Sequence, residues 1–180
     1  MITRTIGSGG QHTDVAAWVS YVQANYVSGG NLTDSQTGAI TSGGCIVSTA
    51  QVISGWAPGG SGFTTTLTYD TGAWFGPNMR SNPLFYNESL GAFLRSSYVA
   101  EALEIQVNKF RFLGLQIKST GGYARCFITS TVTIDDFLCD GNIIYTTNSD
   151  AGAVILHPDF DGPNTQFSNN IFFNSRGASN

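Results

Sequence analysis

Charge is scarce in this chain. Only 11% of its 180 residues are Asp, Glu, Lys or Arg, and the eight basic ones are scattered through a sequence of net charge −4. Nucleic-acid binding needs a cationic face that displaces counterions from phosphates, and no such face can be assembled here. Cysteine is sparse as well. Cys45, Cys126 and Cys139 form no pair with metal-ligand spacing, and their odd number argues against the disulfide framework of a small secreted domain. All three occupy apolar positions of strand-like segments, which predicts buried thiols and synthesis in a reducing cytoplasm. Long apolar runs are missing, so no membrane insertion is expected, and the opening Met-Ile-Thr-Arg-Thr-Ile-Gly lacks the apolar stretch of a signal peptide. In their place stand 22 Gly, many Ser, Thr and Asn, and 12% aromatic residues. Tight corners, polar outward faces and ample material for burial suit a single domain of strands and argue against intrinsic disorder.

One helix is legible near the start. Val15, Trp18, Val19, Val22 and Tyr26 follow an i, i+3, i+4, i+7, i+11 stripe, Thr13 is placed to cap the free N–H groups, Asp14 suits the positive end of the dipole, and Gly29 and Gly30 end the element. Beyond it the period changes to that of strands. Segments 45–47, 52–56 and 64–69 read as strands between Gly-rich turns such as 57–60. Phe110, Phe112, Leu115 and Ile117 recur, shifted by 22 residues, as Val132, Ile134, Phe137 and Cys139. The apolar residues fall two, three and two apart, which is two short alternating strands joined by a bend, and Leu103, Ile105 and Val107 lead into the first copy. Phe137 and Cys139 map onto Ile171 and Phe173 with a shift of 34 if an insertion lies between.

Repetition of this length predicts coils, each burying its apolar face on a copy of itself. Because crossovers between parallel strands are right-handed, the expected architecture is all-β, a right-handed parallel β-helix (solenoid) with an N-terminal capping α-helix. It forms one domain over 1–180: a strand and the cap helix over 1–30, then coils over 31–180 with loop insertions near 73–98 and 148–165. The helix seals the first coil. The tail after Phe173, Asn-Ser-Arg-Gly-Ala-Ser-Asn, cannot seal the last one, so either that coil docks on another subunit or the chain is a piece of something longer.

The order of features resembles the pectin-lyase-like β-helix virion proteins of bacteriophages. RTIGSGGQHTDVAAWVSYV at 4–22 looks like the entry of that group, a strand ending in Ile-Gly-x-Gly-Gly followed by a cap helix with a central Trp. ISGW at 53–56, TYDTGAW at 68–74 and VNKFRFLGLQIKS at 107–119 resemble its later landmarks, so the similarity spans most of 4–140. Gln11-His12 departs from the group's pattern of a polar or acidic residue before an aromatic one. The resemblance implies a β-helix in a virion, assembled in the host cytoplasm, as a tail appendage or capsid decoration. Without a long C-terminal extension, a complete tailspike is not implied.

Candidate chemistry is thin. Sugar-cleaving β-helices use paired carboxylates on an outer groove, which directs attention to Asp135, Asp136 and Asp140, although neighbours along a strand point to opposite faces and Asp135 and Asp136 need a bulge to cooperate. Solvated corner residues are the plainer reading. Asp159, Asp161 and Asn164 supply alternate oxygen ligands suggestive of calcium but lack a closing glutamate, so an inserted surface loop is the alternative. His12 and His157 stand without a nucleophile at a recognisable spacing. Arg111, Lys118 and Arg125 do not group with the acids as a polysaccharide lyase requires. The segment 73–98 is crowded with aromatics, and Trp74, Phe75, Phe85 and Tyr86 are the candidate interface, packing a lateral excursion, anchoring a partner or presenting rings to sugars. The expectation is a virion structural protein without enzymatic activity and without cofactor or metal, docked on other virion proteins as a homo-oligomer or larger assembly. The alternative is a tailspike-type module that binds or cleaves a host glycan, a polysaccharide depolymerase in the second case.

Overall fold

A computed structural model describes residues 1–58, 62–74, 86–98, 101–121, 125–129, 134, 136–147, 154–155 and 164–174. The chain runs through β1 (Ile2–Ile6), α1 (Val15–Tyr26), β2 (Val27–Ser28), β3 (Asn31–Leu32), β4 (Gln36–Ile40), β5 (Cys45–Val47), β6 (Gln51–Ile53), β7 (Thr65–Tyr69) and β8 (Phe93–Ser96). It continues with β9 (Glu101–Ile105), β10 (Phe110–Leu113), β11 (Gln116–Ser119), β12 (Arg125–Thr129), β13 (Asp136–Asp140), β14 (Ile143–Thr146), β15 (Val154–Ile155), β16 (Asn164–Ser168) and β17 (Ile171–Asn174). The fold is all-β apart from α1, and its sheets are parallel. The first has the order β1-β4-β7-β10-β13-β16, the second β17-β14-β11-β8-β5 and the third β15-β12-β9-β6. From β4 onward the chain visits them in rotation, and among the described residues only the β2–β3 hairpin is antiparallel.

The register corrects the 22-residue repeat. Phe110 lies beside Phe137 and Phe112 beside Cys139, an offset of 27, while Phe137 lies beside Thr165 and Cys139 beside Phe167, an offset of 28. Ile171 and Phe173 pair with Ile143 and Tyr145, so the 34-residue alignment is also superseded. The reason is that the two-three-two spacing marks a corner, and every turn of the chain holds several corners that look alike in an apolar pattern. Gly114 (φ 63°), Gly141 (φ 67°) and Asn169 (φ 54°) occupy the same corner between the first and second sheets. Glycine and asparagine are the residues that reach this left-handed conformation at least cost.

Both expected insertions contain sheet strands. Stretch 73–98 holds β8, and stretch 148–165 holds β15 and the start of β16. Segment 52–56 is a strand only as far as Ile53, and Trp56 is buried beyond it, its indole N–H donating to Thr65 Oγ1 at 2.9 Å.

Inward-facing rows build the core. Phe110 and Phe137 stack at 6.0 Å between centroids, and Leu94, Ile117 and Ile144 form an adjacent row in the second sheet, all with 0% exposure. Each such side chain contributes about 1.5–3 kcal/mol by leaving water. Helix α1 packs against β1, β4 and β6, with Trp18 fully buried beneath it. The indole lies so close to β4 that a Cβ on Gly38 would come 3.2 Å from Trp18 Cδ2 and 2.6 Å from Ile6 Cδ1. Two details of the helix differ from expectation. The N-cap is Asp14, extended at φ −155°, whose Oδ1 accepts from the Ala17 N–H at 2.8 Å, while Thr13 lies one residue too early and donates to Asp14 Oδ2. The helix ends at Val27, which is extended, and Gly29 and Gly30 (φ 56° and 78°) instead form the two-residue loop of the β2–β3 hairpin.

Candidate functional site

The carboxylates singled out in the sequence do not converge. Asp136 lies on the outward face of β13 and ion-pairs with Arg111 of β10, Nη2 to Oδ1 at 2.6 Å, while Arg111 Nη1 donates to the carbonyls of Phe110 and Asp136. Asp140 is four residues further along the same strand, about 13 Å away at ~3.3 Å per residue. Its Oδ1 accepts from Ser168 Oγ at 2.6 Å and Asn169 Nδ2 at 2.9 Å. Acid and base in sugar cleavage stand about 5–9.5 Å apart, so Asp136 and Asp140 fall outside that range. Asp135 is outside the described residues. Around the Arg111–Asp136 pair lies an open cleft of about 650 Å³, lined also by Leu138, Asn164, Thr165 and Gln166. Asn164 is exposed and in register with Asp136, whereas Asp159, Asp161 and His157 lie outside the described residues. Among the described residues no group of three His, Cys, Asp or Glu side chains could hold a metal ion.

The three thiols are free and buried. Burial pushes Cys45 up to about 11 and both Cys126 and Cys139 up to about 12, which leaves almost no thiolate at neutral pH and argues against a nucleophile.

The aromatic segment divides. Trp74 is 48% exposed and stacks on Tyr69 at 6.2 Å. Tyr86 is half-buried and serves as an internal brace: its ring stacks on Tyr145 at 6.0 Å, Lys118 Nζ stands 5.3 Å from both rings, and its hydroxyl donates to Glu88, which also holds Arg95 at 2.9 Å. Phe75 and Phe85 lie outside the described residues.

Two features stand out, the first unanticipated and the second expected in kind from the tail after Phe173 but not in the residues that carry it. The first is a ladder of side-chain amides, one buried and one half-buried, at the corner between the first and second sheets. Asn142, 1% exposed, accepts from the Leu115 N–H through Oδ1 at 2.9 Å and donates through Nδ2 to the Phe112 carbonyl at 2.9 Å. Asn170, one strand on, repeats the arrangement: its Oδ1 accepts from the Asn142 N–H at 3.0 Å and its Nδ2 donates to the Cys139 carbonyl at 2.7 Å. The signal was present in Gly141-Asn142-Ile143 and Asn169-Asn170-Ile171, 28 residues apart.

The second is the contrast between sheet edges. β15, β16 and β17 each end a sheet. Phe167 and Phe172 continue the inward rows of Cys139 and Ile144, which are fully buried, yet they are 37% and 50% exposed. From Asn164 to Asn174 there is no Asp, Glu, Lys or Arg. At the opposite edge several backbone groups are occupied and a side chain of β6 is tied to the helix. His12 N–H donates to the Thr5 carbonyl, Gly7 N–H to the His12 carbonyl and Ser8 N–H to the Gly44 carbonyl, while Gln51 of β6 accepts from the Ala16 N–H of α1. The Gly-Ser-Gly-Gly stretch makes this possible, since a Cβ on Gly7 (φ 101°) would strike the Gly44 carbonyl.

Comparison with known protein families, with curated proteins and with solved structures gives no match to this chain. No described helix is long and apolar enough to cross a membrane.

Proposed function

We propose that the chain is a non-enzymatic structural component of a bacteriophage virion, a decoration or appendage whose body is a right-handed parallel β-helix and which docks through its β15–β16–β17 edge. Support for the coil comes from the rotation of the chain through three parallel sheets and the near-constant offsets of 27 and 28 residues between β10, β13 and β16. Right-handed winding follows from the twist of the strands. The observation that carries the docking reading is the exposure of Phe167 and Phe172 at the end of rows that are fully buried from Leu67 to Cys139 and from Cys45 to Ile144. Exposed inward-facing rings on strands that end their sheets mark a surface that another polypeptide covers. Purified chain incubated with particles lacking it is expected to co-sediment with them and to occupy discrete density. Failure to bind any virion protein overturns the proposal.

Trp74 favours a second reading, since a half-exposed ring backed by a stacked tyrosine can present a flat face to a sugar. On that reading the module binds or cleaves host surface polysaccharide. Release of reducing ends that is abolished by Asp136→Ala would establish cleavage, and glycan retention lost in Trp74→Ala would establish binding.

A further inference from the structure

We infer that the outward face of the second sheet carries a binding site for acidic sugars, in which the Lys118 ammonium receives the sugar carboxylate and the rings beside it support the apolar face of the sugar. The inference rests on the glycan reading that Trp74 favours and names the class of glycan. The docking reading does not depend on it.

One row of outward side chains crosses this sheet: Ile46 of β5, Arg95 of β8, Lys118 of β11, Tyr145 of β14 and Phe173 of β17. Two of the chain's eight basic residues therefore stand in register on neighbouring strands, with backbones ~4.8 Å apart. Like charges placed opposite each other destabilise a sheet, so each calls for an anion. Arg95 has one, since Glu88 accepts from its guanidinium through both carboxylate oxygens at 2.9 and 3.1 Å. Lys118 does not. Among the described residues it makes no ion pair and no hydrogen bond, and its half-buried side chain lies instead between two rings, Nζ 5.3 Å from the centroids of both Tyr86 and Tyr145. Rings attract a cation without neutralising it, which leaves the charge available to a ligand.

The surroundings select a carboxylated sugar. β11 and β14 are each paired on both sides, so this face offers side chains alone and a peptide finds no main-chain partner on it. What it offers is a strip of rings, Tyr145 stacked on Tyr86 at 6.0 Å and tilted against Phe173 at 6.5 Å, suited to the C–H face of a pyranose. The Tyr145 hydroxyl has no partner among the described residues and is open to a sugar hydroxyl. A neutral glycan seated here would desolvate the Lys118 ammonium without replacing its water, so the site discriminates in favour of the acid.

The test is calorimetric titration of the 180-residue chain with glucuronate and sialate oligosaccharides, each beside its methyl ester, which keeps the shape of the sugar and removes its charge. The acids are expected to bind about tenfold or more tightly than the esters. That preference is expected to vanish at about 1 M sodium chloride, where the Debye length falls to ~3 Å. Lys118→Met, which keeps the apolar stem, is expected to treat acid and ester alike, and Lys118→Arg to restore the preference. The ester comparison is made on the unaltered chain and so does not depend on how any variant folds. Esters that bind as tightly as the acids overturn the inference, as does an acid preference that persists in Lys118→Met. Poly-glutamate bound as tightly as the uronate also overturns it, by making the ligand a polypeptide. Glycan binding that is lost in Trp74→Ala but indifferent to Lys118 and to esterification overturns the acidic-sugar site and leaves the glycan reading standing. A chain that binds neither acid nor ester overturns both.

Discussion

The two edges of the sheets solve the same problem in opposite ways. At the β1–β5–β6 edge, backbone groups of Thr5, Gly7 and Gly44 are taken up within the chain by His12 and Ser8, the Gln51 side chain is tied to α1, and the apolar rows run to Cys45 and to Gly38 beneath Trp18. At the β15–β16–β17 edge the same rows end on Phe167 and Phe172, which remain in contact with water. One edge is finished by folding and the other is suited to finishing by association. The comparison teaches that exposure of a large apolar side chain is informative when its own row predicts burial, because scattered surface apolars are ordinary.

The largest expected break in this comparison is at the closed edge. Trp18→Ala empties the space between α1 and β4 and is expected to cost about 3–5 kcal/mol in urea unfolding, while Phe172→Ala at the open edge costs about 1 kcal/mol or less because half of that ring is already solvated. Equal losses would show that the two edges do not differ. Trp18→Phe is expected to recover much of the loss, since the indole N–H is buried without a partner.

Next comes the amide ladder. Asn142→Ala leaves the Leu115 N–H and the Phe112 carbonyl without their buried partner and is expected to cost about 2–4 kcal/mol, with Asn170→Ala, one strand nearer the open edge, costing less. Hydrogen exchange at Leu115, accelerated in Asn142→Ala and unchanged in Asn170→Ala, would locate the effect.

The cap of α1 gives a smaller difference. Asp14→Ala is expected to lower stability by about 1 kcal/mol and Thr13→Ala by less than about 0.5 kcal/mol, read from shifts in the urea midpoint. The reverse order would return the N-cap to Thr13.

Smallest is the pH response of the closed edge. Burial, reinforced by the Arg4 charge, lowers the pKa of His12 from its ordinary 6.5. Its unfolded form therefore takes up a proton first. Stability contributed by this residue is constant above pH ~6.5, falls as the pH drops below that value, and levels off beneath the folded pKa. The urea midpoint should decline on acidification through this window, and His12→Gln should flatten the decline.

How much of this was legible depends on which physical signal each element leaves. The α1 stripe survived because a helix imposes a local period that nothing else in the chain imitates, and Trp18 was placed in the core from that stripe alone. The corner geometry at Phe112-Leu113-Gly114-Leu115 was visible too. The repeat length was not, because successive strands of the first sheet are separated by 34, 29, 45, 27 and 28 residues. The distance between strands is fixed by hydrogen bonds, whereas the chain between them is free to vary, so an apolar pattern shifted by 22 could match by chance. Left-handed residues at Gly114, Gly141 and Asn169 carried the true offset. The candidate site was less legible still: Asp136 and Asp140 belonged to one candidate cluster but are spread along one strand, Tyr86 of the candidate interface braces Tyr145, and the significance of Phe167 and Phe172 required knowing which row they continue.

The three sulfhydryls divide between the two edges: Cys45 lies at the closed edge, whereas Cys126 and Cys139 each lie one strand from the open edge, Cys139 beside Asn170. None is reachable without local opening, so their alkylation rates form a built-in stopwatch for breathing. Ordered rates, Cys126 and Cys139 before Cys45, would mean that this protein unravels from one side only, and whatever seats itself on that side also sets its lifetime.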